Sequence, residues 1–141
     1  MASVYFATHI DSGVDNCIIS SKKGSARAGV MYVGLAYGSI TGNTITNCTS
    51  AVSIQNSGMI TVTDNVFENN VGSDVLIRSS REIFIARNNF KTVNSFAPIR
   101  GEKENHQLTV AENIFAHASY DIAEALGNGD SRIIEDNVFN G

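Results

Sequence analysis

A short phrase that returns along the chain constrains its fold more than any other feature. It is plainest at Thr61-Val62-Thr63-Asp64-Asn65-Val66-Phe67: alternating apolar residues, a charged or small residue, Asn, any residue, then a large apolar one. It returns at Ile83–Phe90, Leu108–Phe115 and Ile133–Phe139, and in weaker form around Asn43 and Asn16. The Asn residues stand at 16, 43, 65, 88, 113 and 137, in steps of 27, 22, 23, 25 and 24. Self-similarity at a period in the twenties marks a solenoid and outranks any local reading of secondary structure.

The remainder of each period selects a β solenoid. Some ten residues after each Asn a second apolar stretch begins, at Ala51–Ile54, Asp74–Ile77, Ala97–Ile99 and Asp121–Ala123. Each unit thus holds at least two short period-2 segments joined by polar, Gly- or Asn-bearing turns, and no stretch keeps helical spacing long enough for a helix. A leucine-rich repeat needs its own consensus and a helical return, and neither is present. Strands of successive coils then stack in parallel at about 4.8 Å. The expected fold is all-β: a single-stranded parallel β-helix of about five to six coils. The Asn-x-Phe turns resemble those of the pectate-lyase-like superfamily, and that resemblance, with the general rule for crossovers, implies a right-handed coil. One domain, 1–141, is expected, with an irregular N-terminal coil over 1–29 and regular coils over 30–141.

Two columns should run along such a helix. Asn tolerates left-handed backbone at the bend, and buried Asn43, Asn65, Asn88, Asn113 and Asn137 satisfy one another if each amide donates to the next. Two residues on, Ile18, Ile45, Phe67, Phe90, Phe115 and Phe139 should point inward and stack. Burial of each ring stabilises by about 1.5–3 kcal/mol. The residues just before the later Asn, namely Asp64, Arg87, Glu112 and Asp136, form a charged outer column. Its pairs are worth about 0–1 kcal/mol each.

Composition excludes several function classes. Only 17% of residues are charged, the net charge is -4, and Lys and Arg do not cluster. Nucleic acid is therefore not an expected partner, since phosphate binding needs a basic stripe. No apolar run reaches membrane-spanning length, and Met1-Ala2-Ser3 opens no signal peptide, so the compartment stays open. Two Cys, 17 and 48, imply neither a disulfide framework nor a zinc site. No cofactor is expected.

Aligning the second strand across coils puts Gln55, Arg78 and Arg100 in one outward column, with Ala123 or Glu124 next. Arginines on adjacent rungs lie about 5 Å apart. They are mildly unfavourable unless an anion or a carboxylate sits between them, and Arg recognises carboxylates bidentately. Leu76-Ile77-Arg78-Ser79-Ser80, one coil before Pro98-Ile99-Arg100-Gly101, resembles the paired-rung motif of the chondroitinase B and alginate lyase family. That resemblance implies β-elimination by a Lys base and an Arg acid beside calcium. Arg100 would stand at the Arg and Arg78 at the Lys, where a guanidinium makes a poor base. The alternative is that Arg78 and Arg100 are surface groups bridged by Glu102, Glu124 or Asp74. His106 and His117, with acidic neighbours, form no ligand-spacing motif and are expected to be solvent-exposed. Gln55, Arg78, Arg100, Glu124 and His106 are the substrate-binding candidates, and Arg78 and Arg100 the catalytic ones. His9, with Asp11 and Asp15, is expected in a polar terminus.

No capping segment is legible at either end, and uncovered coils present strand edges and apolar cross-section. The expected function is a non-catalytic module that self-associates and binds a protein or saccharide partner. The rivals are a polysaccharide lyase-like enzyme, with calcium only in that case, and a segment of a trimeric phage tailspike or adhesin.

Overall fold

The computed structural model describes residues 2–7, 11–23, 25, 27–34 and 36–141. His9 lies outside them, as do Gly24 and Ala26 of the polar loop between the first two coils.

The chain winds in coils of three strands each. The first coil is β1 (Ala2–Ala7), β2 (Ser12–Asp15) and β3 (Ile18–Ser20), and the second is β4 (Ala28–Val33), β5 (Ala36–Thr41) and β6 (Thr44–Thr46). The third is β7 (Ser50–Gln55), β8 (Gly58–Thr63) and β9 (Val66–Glu68). The fourth is β10 (Val75–Arg78), β11 (Arg81–Ala86) and β12 (Asn89–Phe90). The fifth is β13 (Ile99–Glu102), β14 (Glu104–Ala111) and β15 (Ile114–Phe115). A last winding begins with a one-turn helix, α1 (Ile122–Ala125), and continues through β16 (Asn128–Asp130), β17 (Ile133–Glu135) and β18 (Val138–Phe139).

Every strand pairs in parallel with its counterpart one coil away, which builds three sheets. The first runs β1-β4-β7-β10-β13, the second β2-β5-β8-β11-β14-β16, and the third β3-β6-β9-β12-β15-β18. This is the expected all-β, right-handed parallel β-helix, with about five turns. Three strands replace the two or more read from the sequence. The stretch Gly101–His106, read as a loop, is almost all strand, bent only at Lys103 with φ 63°. Leu126–Ser131 likewise contributes β16.

The interior is filled by inward side chains of all three sheets, with two on most strands of the first two, as Val52 and Ile54 on β7 and Ile83 and Ile85 on β11. Val30, Val52, Val75 and Ile99 stack from the first sheet, and Ile40, Val62, Ile85 and Val110 from the second, all essentially unexposed. The third sheet supplies the aromatic column. Ring centroids are 5.0 Å apart for Phe67 and Phe90, 4.7 Å for Phe90 and Phe115, and 5.2 Å for Phe115 and Phe139.

The Asn ladder forms as its chemistry requires. Nδ2 of Asn43, Asn65, Asn88 and Asn113 donates to Oδ1 of the Asn one coil on, at 3.1, 3.0, 3.0 and 3.0 Å. The same Oδ1 also accepts the backbone N–H of the preceding Asn. The second Nδ2 hydrogen goes to a backbone carbonyl, as from Asn88 to Val62 at 2.8 Å. The left-handed residue is not the Asn but the one before it: Gly42, Asp64, Arg87, Glu112 and Asp136 have φ of 70, 59, 55, 56 and 54°. Outside this ladder, Arg87 bonds Asp64 at 3.2 Å.

The first coil is out of step with the sequence pattern by one residue. Asn16 itself takes the left-handed slot, with φ 52°, and the N–H of Cys17 donates to Asn43 Oδ1 at 2.8 Å. Ile19 therefore enters the inward column beside Ile45, while Ile18 is 85% exposed. A slip of one residue exchanges the faces of a strand.

Where the sequence suggested a strand at Asp121–Ala123 the chain instead makes α1. Asp121 caps it, its side chain accepting the N–H of Glu124, and Ile122 and Leu126 are buried against the fifth coil. Gly101 permits this closure: a Cβ there would lie 1.9 Å from the Leu126 carbonyl oxygen.

Candidate functional site

The outer face of the first sheet carries the arginines, but in a different register from the one that apolar spacing suggests. Arg78 stands between Gln55 and Glu102, and Arg100 stands beside Leu76, not beside Arg78. Ile99 fits inward opposite either Val75 or Ile77, because a shift of two residues preserves the face. The chain takes Val75. The paired-rung alignment on which the lyase resemblance rests is therefore not the one that forms.

The shift delivers a carboxylate. Arg78 Nε donates to Glu102 Oε2 at 3.0 Å and its Nη2 closes a second bond to the same oxygen, while Arg100 Nη2 donates to Oε1. One carboxylate thus serves two guanidiniums. The bonds from Arg78, then from Arg100, hold the Glu102 carboxyl below the usual carboxylate range. Of the three bridging residues considered, Glu102 alone makes these bonds. The two guanidiniums stay 43% and 41% exposed at the side chain, so N–H donors remain toward solvent.

The other candidates separate. Glu124 lies on α1, exposed, in a cleft of about 470 Å³ that it shares with Arg100, Ala97, Tyr120 and Asp121. His106 sits on the second sheet, in register with Arg81 and Asp130 and away from Arg78 and Arg100. Its Nδ1 is 2.7 Å from Asp130 and its Nε2 3.4 Å from Glu104, so both ring nitrogens already face carboxylates. His117 is not solvent-exposed as expected but half-buried, and that burial lowers its pKa.

Asp74, read from the sequence only as a possible surface bridge to the arginines, is a buried carboxyl. Asp74 is 1% exposed, beneath the edge of the first sheet. Its Oδ1 accepts from Asn70 Nδ2 at 2.8 Å and from Thr92 Oγ1 at 2.7 Å, and its Oδ2 is buried without a partner. Burial outweighs both bonds and pushes its pKa up to about 6. The only sequence signal was a charged residue one place before an apolar strand.

No curated protein matches the chain significantly. A family model does: residues 3–106 match NosD, described as the periplasmic copper-binding protein. The described side chains do not fit a copper centre. Among the described residues, no three His, Cys, Asp or Glu come together as a metal site. The soft donors that suit copper are dispersed. Cys17 lies at the first turn, bonded to the Asp15 carbonyl, and Cys48 is buried, its thiol pKa raised by that burial. Met31 and Met59 lie on different sheets. No step is therefore assigned to copper. The match spans residues 3–106, most of the chain, and the chain therefore belongs to the NosD family.

Proposed function

We propose that this chain is a non-catalytic β-helix binding module that presents the outer face of its first sheet to an anionic partner, saccharide or protein. The observation that carries the proposal is the sharing of Glu102 by Arg78 and Arg100. Three charged groups leave one net positive charge, fixed by the strands, with guanidinium donors exposed. Forked donors of this kind suit carboxylates and sulfates. Neither arginine is a proton acceptor, so the arrangement binds an anion more readily than it takes a proton from one.

Self-association belongs to the same proposal. Ile114, Ile133, Ile134 and Val138 expose 42, 51, 37 and 49% of their surface on the last two coils, a place for a second copy.

Titration calorimetry with polygalacturonate and with poly-glutamate tests the binding face. Loss of one charge-assisted bond is worth about 1.5–3 kcal/mol, so Arg100→Gln should weaken binding about tenfold or more. Binding that is undetectable, or that survives Arg78→Gln with Arg100→Gln together, removes this face from the proposal. The same mixtures report on catalysis. Ultraviolet absorbance from unsaturated uronide, abolished by Arg100→Ala, would make the chain a lyase.

A further inference from the structure

A second polar hollow lies beside the clamp that Arg78 and Arg100 form on Glu102. Arg27 directly precedes β4, and its carbonyl accepts the Ser50 N–H at 3.0 Å. Arg78 is the last residue of β10. Strand β7 lies between β4 and β10, so the two arginines flank its outer face from neighbouring strands and from opposite ends. Between them is a cleft of about 260 Å³, lined also by the hydroxyl-bearing Ser50 and Ser53, by Gln55 and by Leu76. Gln55 Nε2 donates to Ser53 Oγ at 3.2 Å, which leaves the Gln55 carbonyl oxygen as an acceptor.

The charges around this cleft are unbalanced. Among the described residues, no carboxylate lines it. Arg27 makes no ion pair among the described residues, and Glu102 is already shared between Arg78 and Arg100. Two cationic forks thus border a hollow whose remaining polar groups are hydroxyls and an amide. Its one large apolar side chain, Leu76, offers a surface for carbon.

We propose that this cleft binds an oxyanion carried on a small hydroxyl-bearing molecule, with Arg27 and Arg78 holding the oxyanion and Ser53 and Gln55 meeting the hydroxyls. The inference rests on the binding-module reading but uses a residue, Arg27, that the clamp does not. The oxyanion is a carboxylate or a phosphate ester, and the probes separate the two.

Calorimetry on the full chain with galacturonic acid, glucose 6-phosphate, neutral galactose and inorganic phosphate provides the test. At least one of the two charged sugars should bind, and galactose and inorganic phosphate should each bind at least tenfold more weakly. Arg27→Gln should cut charged-sugar affinity about tenfold or more. Arg100 does not line the cleft, and Arg100→Gln should weaken polymer binding. Arg27 is exposed, so an unchanged thermal melt of the variant shows that the fold is intact. The proposal is overturned if neither charged sugar binds, if Arg27→Gln changes nothing, or if inorganic phosphate binds as well as the sugar phosphate. Polymer binding that depends on Arg100 with no sugar binding would remove the cleft alone. Sugar binding that depends on Arg27 with no polymer binding would remove the clamp alone.

Discussion

Asp74 costs this fold stability in neutral solution. A carboxylate that accepts two hydrogen bonds ordinarily titrates low, yet here burial prevails and the pKa rises from 3.8 to about 6. The folded state therefore holds this proton more tightly than the unfolded chain does. The resulting stability is fully present below about pH 3.8 and is lost as pH rises through about 6. One pKa unit is about 1.4 kcal/mol, so Asp74 withdraws up to about 3 kcal/mol at pH 7. Asp74→Asn keeps an acceptor for Asn70 and Thr92 and removes the charge. It should raise stability by up to that amount at pH 7 and by little near pH 4. Urea unfolding at the two pH values checks this, and an equal gain at both would show that the charge is not the cause.

At the scale of the element, the Asn ladder and the aromatic column hold the third sheet and its turn in different ways. Asn88 accepts two donors from Asn65 and gives its own two hydrogens to Asn113 and Val62. Asn88→Ala strands the two Asn65 donors in a buried site, at about 1–3 kcal/mol each. Phe90→Ala removes a ring packed between two others and should cost about 3–5 kcal/mol. Chemical denaturation of the two variants should show losses of similar size, though one deletes hydrogen bonds and the other apolar contact. Asn137→Ala, at a half-buried rung, should cost clearly less than Asn88→Ala. If the two Asn variants lose the same amount, the ladder does not depend on burial. Much of this was legible in the sequence, because an Asn and, two residues on, a large apolar residue recur, with Phe in that place from Asn65 onward. The first coil was not, because Asn16 occurs one place early and only the pairing of Cys17 with Asn43 fixes the step.

For the whole molecule, the fold rests on pairing that repeats in three sheets, whereas assembly rests on surface. The exposed apolar residues of the last two coils predict self-association, measured as absolute mass by light scattering on a sizing column across concentrations. A stable dimer supports the proposed module. A trimer points to the tailspike or adhesin class. A monomer at every concentration removes self-association from the proposed function.

What the sequence determined alone was the coil: a period in the twenties, its inward residues from the second coil on, and the Asn column beside them, because like chemistry that returns once per coil stacks. The tertiary structure decided the rest. It set Arg100 beside Leu76 and Glu102 beside Arg78, since a shift of two residues leaves the hydrophobic pattern unchanged and only packing distinguishes the registers. It made a helix of Ile122–Ala125, a segment too short for its periodicity to declare itself, which closes onto Gly101. It also buried Asp74, since whether a charged residue at a strand edge faces water depends on what the neighbouring coils place over it.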